Sequence, residues 1–427
     1  MKKQYLPFLV CSSVFVFSNQ VSAVSLDYAV EAGISASNNI NRASDDPAAA
    51  DPIKDEVLLM LGELNVLDNS SKNDFKLGMD VRYLNYVGDS FEDDTRANID
   101  LESRWGIVDE SFSWVVNGYY GQVAIDAFTV ETPDNLQNIG VVETGPDLTI
   151  EFNDVNSLIL GYKYADFYAE ITDADYQSNL YSLSLERRLR PTLTLSLNSS
   201  YEEIDYEDNT TAQDFDEARY FLALASRTAT SLSALELGQI KLEFDDNSDL
   251  DNEFKQFTFL RQLNSRNTVD LQLLETIDTG VRDINRETAA TVFITNDLFV
   301  NKQAKIGYDY NRTDLQIGLD IFYIDQDYIR DDNLDRIIRT ANMYITYGTP
   351  VSLQVGFGYT YFEQDFYITN QLDQDDVFNL RFEKRLGSHL SAVFLVENYN
   401  RETRTLTDTF NIEETKYILT LRYADKI

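Results

Sequence analysis

Apolar and polar residues alternate with a period of two through most of the chain. In the stretch SLSLERRLRPTLTLSLNSSYEEIDYED, from Ser182 to Asp208, leucines at every second position flank a central Arg-Pro step. The same alternation recurs in the segments 77–83, 158–164, 317–323, 351–361, 378–382 and 417–423. Such a period indicates β-strands with one apolar and one polar face, so the pattern predicts an all-β protein.

The connections between these segments also alternate, between short and long. Short turns are predicted at 108–110, 190–191, 228–230, 264–266, 349–350 and 387–388. Longer, acidic loops are predicted at 88–95, 205–217, 245–253, 325–335 and 365–376. Tight turns at one end of a sheet and long loops at the other are typical of outer-membrane barrels. The sequence therefore predicts a transmembrane antiparallel up-and-down β-barrel of about 18 strands, with a range of roughly 16–20.

Three places leave the strand arrangement open. Residues 38–56 are predicted to form a long first loop, and the turn at 69–74 is longer than its position predicts. Residues 288–296 fit either a strand carried on a loop or an additional strand of the barrel.

The main alternative is a secreted soluble β-protein whose apolar faces pack on each other. The candidate strands run to about 10–14 residues, longer than those of most globular sheets but suited to a tilted membrane strand. Tyrosines also recur near strand ends, where their rings fit the lipid headgroup zone. These tyrosines are Tyr83, Tyr86, Tyr119, Tyr120, Tyr201, Tyr206, Tyr323, Tyr328, Tyr359 and Tyr361. We therefore expect the apolar face to contact lipid.

The first residues resemble a secretory signal. Lys2 and Lys3 precede a short apolar stretch, and small residues end at Ala23, as signal peptidase requires. The stretch is too short to span a bilayer. We expect residues 1–23 to be cleaved, which leaves 24–427 as a single barrel domain in the bacterial outer membrane with both termini in the periplasm.

Composition narrows the possible partners. The formal net charge is −37, and a surface this acidic repels nucleic acid. The chain nevertheless contains 25 Phe and 26 Tyr, too many aromatic residues for a disordered acidic protein. Its single cysteine, Cys11, lies in the predicted signal, so the mature domain must be held together without disulfides. The expected partners are outer-membrane lipid and lipopolysaccharide.

Little in the sequence indicates catalysis or a metal site. The single histidine, His389, lies in a predicted periplasmic turn without a recognisable nucleophile or orienting acid. Asp245, Asn247 and Asp249 have the spacing of calcium ligands, but Leu250 stands where an EF-hand loop requires glycine. We expect no enzymatic activity, no cofactor and no specific metal site.

The polar face of the strands is where a function should lie. By their position between lipid-facing neighbours, charged side chains are predicted to line the lumen. They are Arg82, Arg104, Lys163, Glu186, Arg188, Arg381, Glu383 and Arg422. About 18 strands enclose a lumen too wide for wall side chains to fill, so it should hold water or an inward-folded loop.

Three stretches resemble a known family. They are SWVVNGYYGQ with TPDNLQNIGVVETGPDL between Ser113 and Leu148, the hairpin LERRLRPTLTLSL, and DLFVNKQAKIGYDYNRTDLQIGLDIFY from Asp297 to Tyr323. They are similar to porin-like outer-membrane β-barrels associated with exopolysaccharide synthesis and export. The resemblance implies a passive conduit for polysaccharide with periplasmic export partners. It implies no catalytic residue, and Gly145-Pro146 within it is interpreted as shaping the backbone.

Two other functions stay open. One is a general diffusion porin that prefers cations because of the acidic loops. The other is a non-conducting surface or assembly barrel that binds a partner through those loops.

Overall fold

We describe the fold from a computed structural model. It describes residues 24–426 apart from 71, 110, 127, 173, 208–212, 246–247 and 279–296. The predicted signal (1–23) and the ambiguous segment 288–296 lie outside the described residues. No helix in the described part of the chain is long and apolar enough to cross a membrane.

The described residues form a single antiparallel sheet of twenty strands. The strands are β1 (Ser25–Ser37), β2 (Asp55–Asn69), β3 (Asn73–Tyr86), β4 (Asp94–Val108), β5 (Phe112–Ala124), β6 (Leu136–Asn153), β7 (Asn156–Ala169), β8 (Tyr176–Arg190), β9 (Leu193–Tyr206), β10 (Phe215–Arg227), β11 (Ser231–Phe244), β12 (Asp249–Asn264), β13 (Asn267–Asp278), β14 (Phe299–Arg312), β15 (Leu315–Tyr328), β16 (Arg336–Gly348), β17 (Leu353–Phe366), β18 (Gln371–Arg385), β19 (Leu390–Arg404) and β20 (Thr409–Lys426). Two 3₁₀ turns, Pro133–Asn135 and Asp332–Leu334, lie in connections.

The sheet closes on itself. Each strand pairs with its sequence neighbours, and β1 also pairs antiparallel with β20, from Asp27 opposite Lys426 to Ser37 opposite Lys416. Closure removes both free edges, so every strand's backbone donors and acceptors can be satisfied on both sides. The predicted transmembrane-type up-and-down barrel is confirmed, and its strand number lies at the upper limit of the expected range.

Connection length alternates as expected from β1 to β16, whereas the connections between β16 and β20 are all four residues long. Connections at one end are short, for example 154–155, 191–192 and 313–314, and both termini of the barrel lie at this end. The opposite end carries the longer connections, including 38–54, 87–93 and 125–135. We call these the short-turn end and the long-loop end.

Some loops predicted from acidic residues are shorter than expected because the strands continue into them. β12 begins at Asp249 and β18 at Gln371, inside the stretches expected to be irregular. Acidic side chains can remain hydrated on one face of a strand whose backbone is fully hydrogen-bonded to its neighbours. Charge alone therefore placed these loop boundaries wrongly.

The outer face carries a band of exposed apolar side chains. A row of leucines crosses five neighbouring strands from β7 to β11, each residue directly opposite the next. The row is Leu158, Leu185, Leu197, Leu222 and Leu237. Leu197 and Leu222 are 55% and 51% exposed, which a water-facing surface would not sustain over so many neighbours.

Toward the long-loop end, the polarity of the two faces is inverted. On β9, Glu203 and Asp205 continue the outer row of leucines, while Ile204 and Tyr206 lie on the inner face and are 2% and 6% exposed. Near the long-loop end, the wall is thus polar on its outer face and apolar on its inner face. This inversion marks the limit of the exposed apolar band toward the long-loop end.

Candidate functional site

The inner face of the short-turn half is lined by charged side chains that pair across strands. Arg104 on β4 and Lys163 on β7 both reach Asp147 on β6, with N–O distances of 2.9 and 2.5 Å. The Arg104 guanidinium also donates to the Ser113 hydroxyl at 3.0 Å. Gly145 allows this crowding, because a Cβ there would collide with the carbonyl oxygen of Tyr162. That collision is consistent with a backbone-shaping role for Gly145.

A second charged group spans the seam where the barrel closes. The Arg422 guanidinium on β20 donates to Glu31 on β1 at 2.5 Å and to Glu63 on β2 at 2.7 Å. One side chain therefore links three neighbouring strands. On β18, Arg381 pairs with Glu383 at 3.2 Å.

The other predicted lumen residues lie on the same face but apart from these groups. Arg82 on β3 lies opposite Arg96, Glu186 on β8 lies opposite Ser196, and Arg188 donates weakly to the Asp154 carbonyl oxygen at 3.4 Å. Strand register thus places all eight predicted residues on one face, without gathering them into one cluster. That they line a path for a solute stays a prediction.

Loss of the seam arginine should weaken the barrel. Arg422→Ala leaves the buried carboxylate of Glu31 and the half-buried one of Glu63 without their shared cation, and we expect a loss of about 1.5–3 kcal/mol in unfolding free energy. Urea unfolding of refolded barrels in detergent measures it. Arg404→Ala is the control, because that arginine is 50% exposed and pairs with Glu402 within its own strand. Equal losses in both variants would contradict a special role for the seam.

In the long-loop half, the inner face is a packed apolar core. It extends along β5 to β13 and includes residues next to β14. Among its members, Ile139 and Phe167 are 1% exposed, and Ile240 and Leu242 are fully buried. In the described part of the chain, this half of the inner face is therefore apolar, and its side chains pack against one another.

The prediction that tyrosines near strand ends form an outward-facing girdle is correct only in part. Strand register and exposure place Tyr83, Tyr201 and Tyr323 on the outer face, where they are 39–40% exposed. Four of the predicted girdle residues instead lie on the inner face and are buried. They are Tyr86, Tyr119, Tyr206 and Tyr328. The prediction was wrong for these four because position near a strand end does not specify which face a side chain occupies.

The β5–β6 connection, residues 125–135, reaches the opposite wall, and we call it the crossing segment. The ring of Phe128 packs on that of Phe366 on β17, with centroids 4.4 Å apart. The Gln371 side-chain amide on β18 donates to the Phe128 carbonyl oxygen at 3.2 Å. β5 and β17 are not neighbours in the sheet, and Phe366 is fully buried, so this contact is made from inside the barrel.

Arg42 in the β1–β2 connection holds the same segment. Its guanidinium donates to the Glu131 carbonyl oxygen at 2.8 Å and to the Glu414 carboxylate on β20 at 3.1 Å. It also lies over the ring of Tyr399 on β19, 4.2 Å from the centroid, a cation–π contact. The side chain thus links the crossing segment to the wall at β19 and β20.

Both connections are anchored at their bases. The Asn135 side chain accepts from the Asp126 backbone N–H at 2.9 Å and donates to the Asp126 carbonyl oxygen at 3.0 Å, which pins the ends of 125–135 together. In the other connection, Asp45 accepts from the backbone N–H and the side-chain amide of Asn411 at 2.6 and 3.0 Å. These bonds favour the carboxylate and lower the pKa of Asp45.

The described residues with candidate chemistry lie at opposite ends of the barrel, His389 at the short-turn end and Asp245 and Asp249 at the long-loop end. His389 lies in the short connection after β18, where its Nδ1 is 3.2 Å from Asp425 and its side chain is 44% exposed. Asp249 pairs with Lys241, while Asn247 lies outside the described residues. Among the described residues, no group of three or more His, Cys, Asp or Glu is arranged to hold a metal ion.

Sequence reasoning missed Arg42, Phe128 and Gln371. Weak signals existed: Phe128 is a large aromatic within a polar connection, and Arg42 is a basic residue in a loop rich in aspartate. Neither signal indicates which residue is contacted, because the partners are far apart in sequence. Phe128 and Gln371 are separated by 243 positions, and Arg42 and Glu414 by 372.

No protein-family model matches the chain, and no curated protein matches it. Similar solved structures include a mutant of the ferric enterobactin receptor from Pseudomonas aeruginosa in complex with enterobactin, at 9% identity over 95% of this chain and 82% of that one, with a TM-score of 0.49. OccAB4 of Acinetobacter baumannii is 10% identical over 95% and 98% of the two chains, with a TM-score of 0.36. A loop-deletion mutant of OmpT, an outer membrane protein of Vibrio cholerae, is 13% identical over 94% and 100%, with a TM-score of 0.33.

Proposed function

We propose that this chain is an outer-membrane conduit, narrowed by its β5–β6 connection, through which a polysaccharide is exported. The observation that carries the proposal is the crossing segment, held by Phe128 against Phe366 and by Arg42 against Glu131. A loop that crosses a wide lumen narrows the path, and this favours selective passage over bulk diffusion.

The chemistry of the inner wall supports a sugar substrate. Side chains such as Arg104, Glu383 and Arg422 offer planar donors and acceptors that can hydrogen-bond to hydroxyl groups. Because many of these charges are paired with each other, the wall is polar without a strong local charge of one sign. The resemblance of residues 113–148 and 297–323 to barrels associated with exopolysaccharide export agrees with this substrate class.

Deletion of the gene tests the substrate. We expect surface polysaccharide, quantified by a labelled lectin, to fall and intracellular or periplasmic polysaccharide to rise. Complementation with the natural chain should restore export. Unchanged surface polysaccharide in the deletion strain would refute the export role.

Orientation is tested separately. An epitope tag inserted in the 87–93 connection at the long-loop end should be accessible to antibody on intact cells, whereas a tag after residue 427 should be accessible only after the outer membrane is permeabilised. The opposite pattern would invert the proposed orientation, with termini outside.

A cation-preferring diffusion porin is the second candidate, favoured by the net charge of −37. Planar-bilayer recordings under a KCl gradient separate the two functions. A steady, large and cation-selective conductance from the natural chain supports the porin. A small or absent conductance supports the narrowed conduit.

A further inference from the structure

A groove of ≈ 490 Å³ lies on the outer face of the barrel across β11 to β15. Its apolar floor is a row of directly opposed residues on these five strands. The row is Leu235, Phe257, Leu273, Ala304 and Tyr323. Ala304 creates the depression, because its short side chain stands between Leu273 and Tyr323.

Charged side chains form the rim of the groove on the long-loop side. Lys255, Glu275 and Lys302 are opposed in register on β12, β13 and β14, one row above the floor. Lys255 pairs with Glu253 and lies 3.1 Å from Glu275, and Lys302 lies 3.0 Å from Asp327. The two lysine side chains are 48% and 46% exposed, so a further partner can reach each ammonium from outside the barrel.

On β12, β13 and β14 the outer face changes from apolar to charged at this rim. Where the outer face makes the same change on β9 and β17, tyrosines donate to acids, Tyr201 to Asp216 and Tyr359 to Asp376, both at 2.6 Å. A tyrosine with its ring in the apolar band and its hydroxyl on a hydrated carboxylate marks the headgroup zone. The groove floor therefore faces acyl chains, and its rim faces headgroups.

We propose that this groove binds one phosphorylated glycolipid of the outer leaflet. An acyl chain lies over Ala304, and Lys255 and Lys302 donate to a headgroup phosphate. Glu275 and Asp327 hold the divalent cations that bridge neighbouring lipid phosphates. The charges complement this occupant: a rim of alternating sign fits a headgroup layer of phosphates and cations better than it fits a lone anion. The inference rests on the proposed membrane orientation, in which the long-loop end faces outward.

Lipid binding to the full barrel tests the site. The protein is delipidated in detergent, mixed with lipid A in the presence of Mg²⁺, and analysed by native mass spectrometry. We expect one lipid A to be retained by the natural chain. Lys255→Ala combined with Lys302→Ala should weaken binding roughly tenfold or more, because each lysine contributes favourably at an anionic lipid surface. Ala304→Leu, which fills the floor and keeps the charges, should weaken binding as well.

Lys76→Ala is the matched control. Lys76 is also an exposed lysine paired with a glutamate, Glu102, but strand register places it on the inner face. It should bind lipid A like the natural chain. Unchanged binding in the double lysine variant, or equal retention of phosphatidylglycerol and lipid A, would overturn the proposed glycolipid site. Loss of a dimer in the groove variants would also overturn it, by making the occupant a second copy of the chain.

The outcome is independent of the transport proposal. All groove variants should conduct in bilayers as the natural chain does and should complement polysaccharide export in rich medium. Failure of lipid binding with export intact would refute only the groove, whereas unchanged surface polysaccharide in the deletion strain would refute only the export role and leave lipid binding standing.

Discussion

Replacing residues 128–133 with two glycines should raise the single-channel conductance of the barrel several-fold. The change removes Phe128 from Phe366 and the Glu131 carbonyl from Arg42, which are the contacts that hold the crossing segment to the far wall. The pair Asp126 and Asn135 remains to close the base of the shortened connection. A lumen freed of an internal segment offers a wider water-filled path. Planar-bilayer recording of purified natural and shortened chains at equal salt measures the effect.

The matched control removes an equal length from the β3–β4 connection, 87–93. Its described contacts are local, since Gly88 and Ser90 donate to Asp55 at the start of β2. Conductance should not change there. Arg42→Ala, which loosens the segment without removing it, should give brief openings between closed periods. If the shortened β5–β6 chain conducts no better than the natural one, the crossing segment does not restrict the path.

Much of this architecture follows from alternation alone. Since neighbouring residues of a strand point to opposite faces, Leu197 and Asn198 could be assigned to different sides of the wall before any pairing was known. The pairing observed around the closed sheet keeps that assignment through every strand from β7 to β11. The fold class and the polar face were therefore predictable.

The polarity inversion and the crossing segment were not predicted. Ile204 and Tyr206 lie on the face that is polar lower in the same strand, and a period of two cannot tell which medium each face meets at a given height. The contact between Phe128 and Phe366 depends on which walls of a closed barrel face each other. That is a property of the whole sheet, not of any local stretch. The charged residues of the inner face could therefore be predicted from the sequence, whereas the crossing segment could not.

The second large effect is expected from arginine placed at Leu197. This residue lies in the outer leucine row and is 55% exposed, so Leu197→Arg puts a guanidinium among lipid tails. A charge on the lipid-facing side of a barrel costs about 2–4 kcal/mol near the bilayer midplane and much less near its surfaces. Asn198→Arg, one residue along on the inner face, should cost little. Urea unfolding midpoints of barrels folded into liposomes, read by tryptophan fluorescence, give both values.

A third substitution on β9 tests how far the apolar environment of the outer face extends along the strand. Glu203→Arg is also on the outer face, but it lies beyond Tyr201, above the level at which the outer face becomes polar. It should therefore be tolerated even though it shares a face with Leu197. Suppose that Leu197→Arg greatly lowers the stability of the barrel, while Asn198→Arg and Glu203→Arg lower it only slightly. The environment must then be apolar on the outer face only, and only along part of the strand, as for a membrane-spanning barrel. Equal, small losses at all three positions would mean that water surrounds the wall, and the lipid-facing assignment on which the conduit and the glycolipid groove both depend would have to be abandoned.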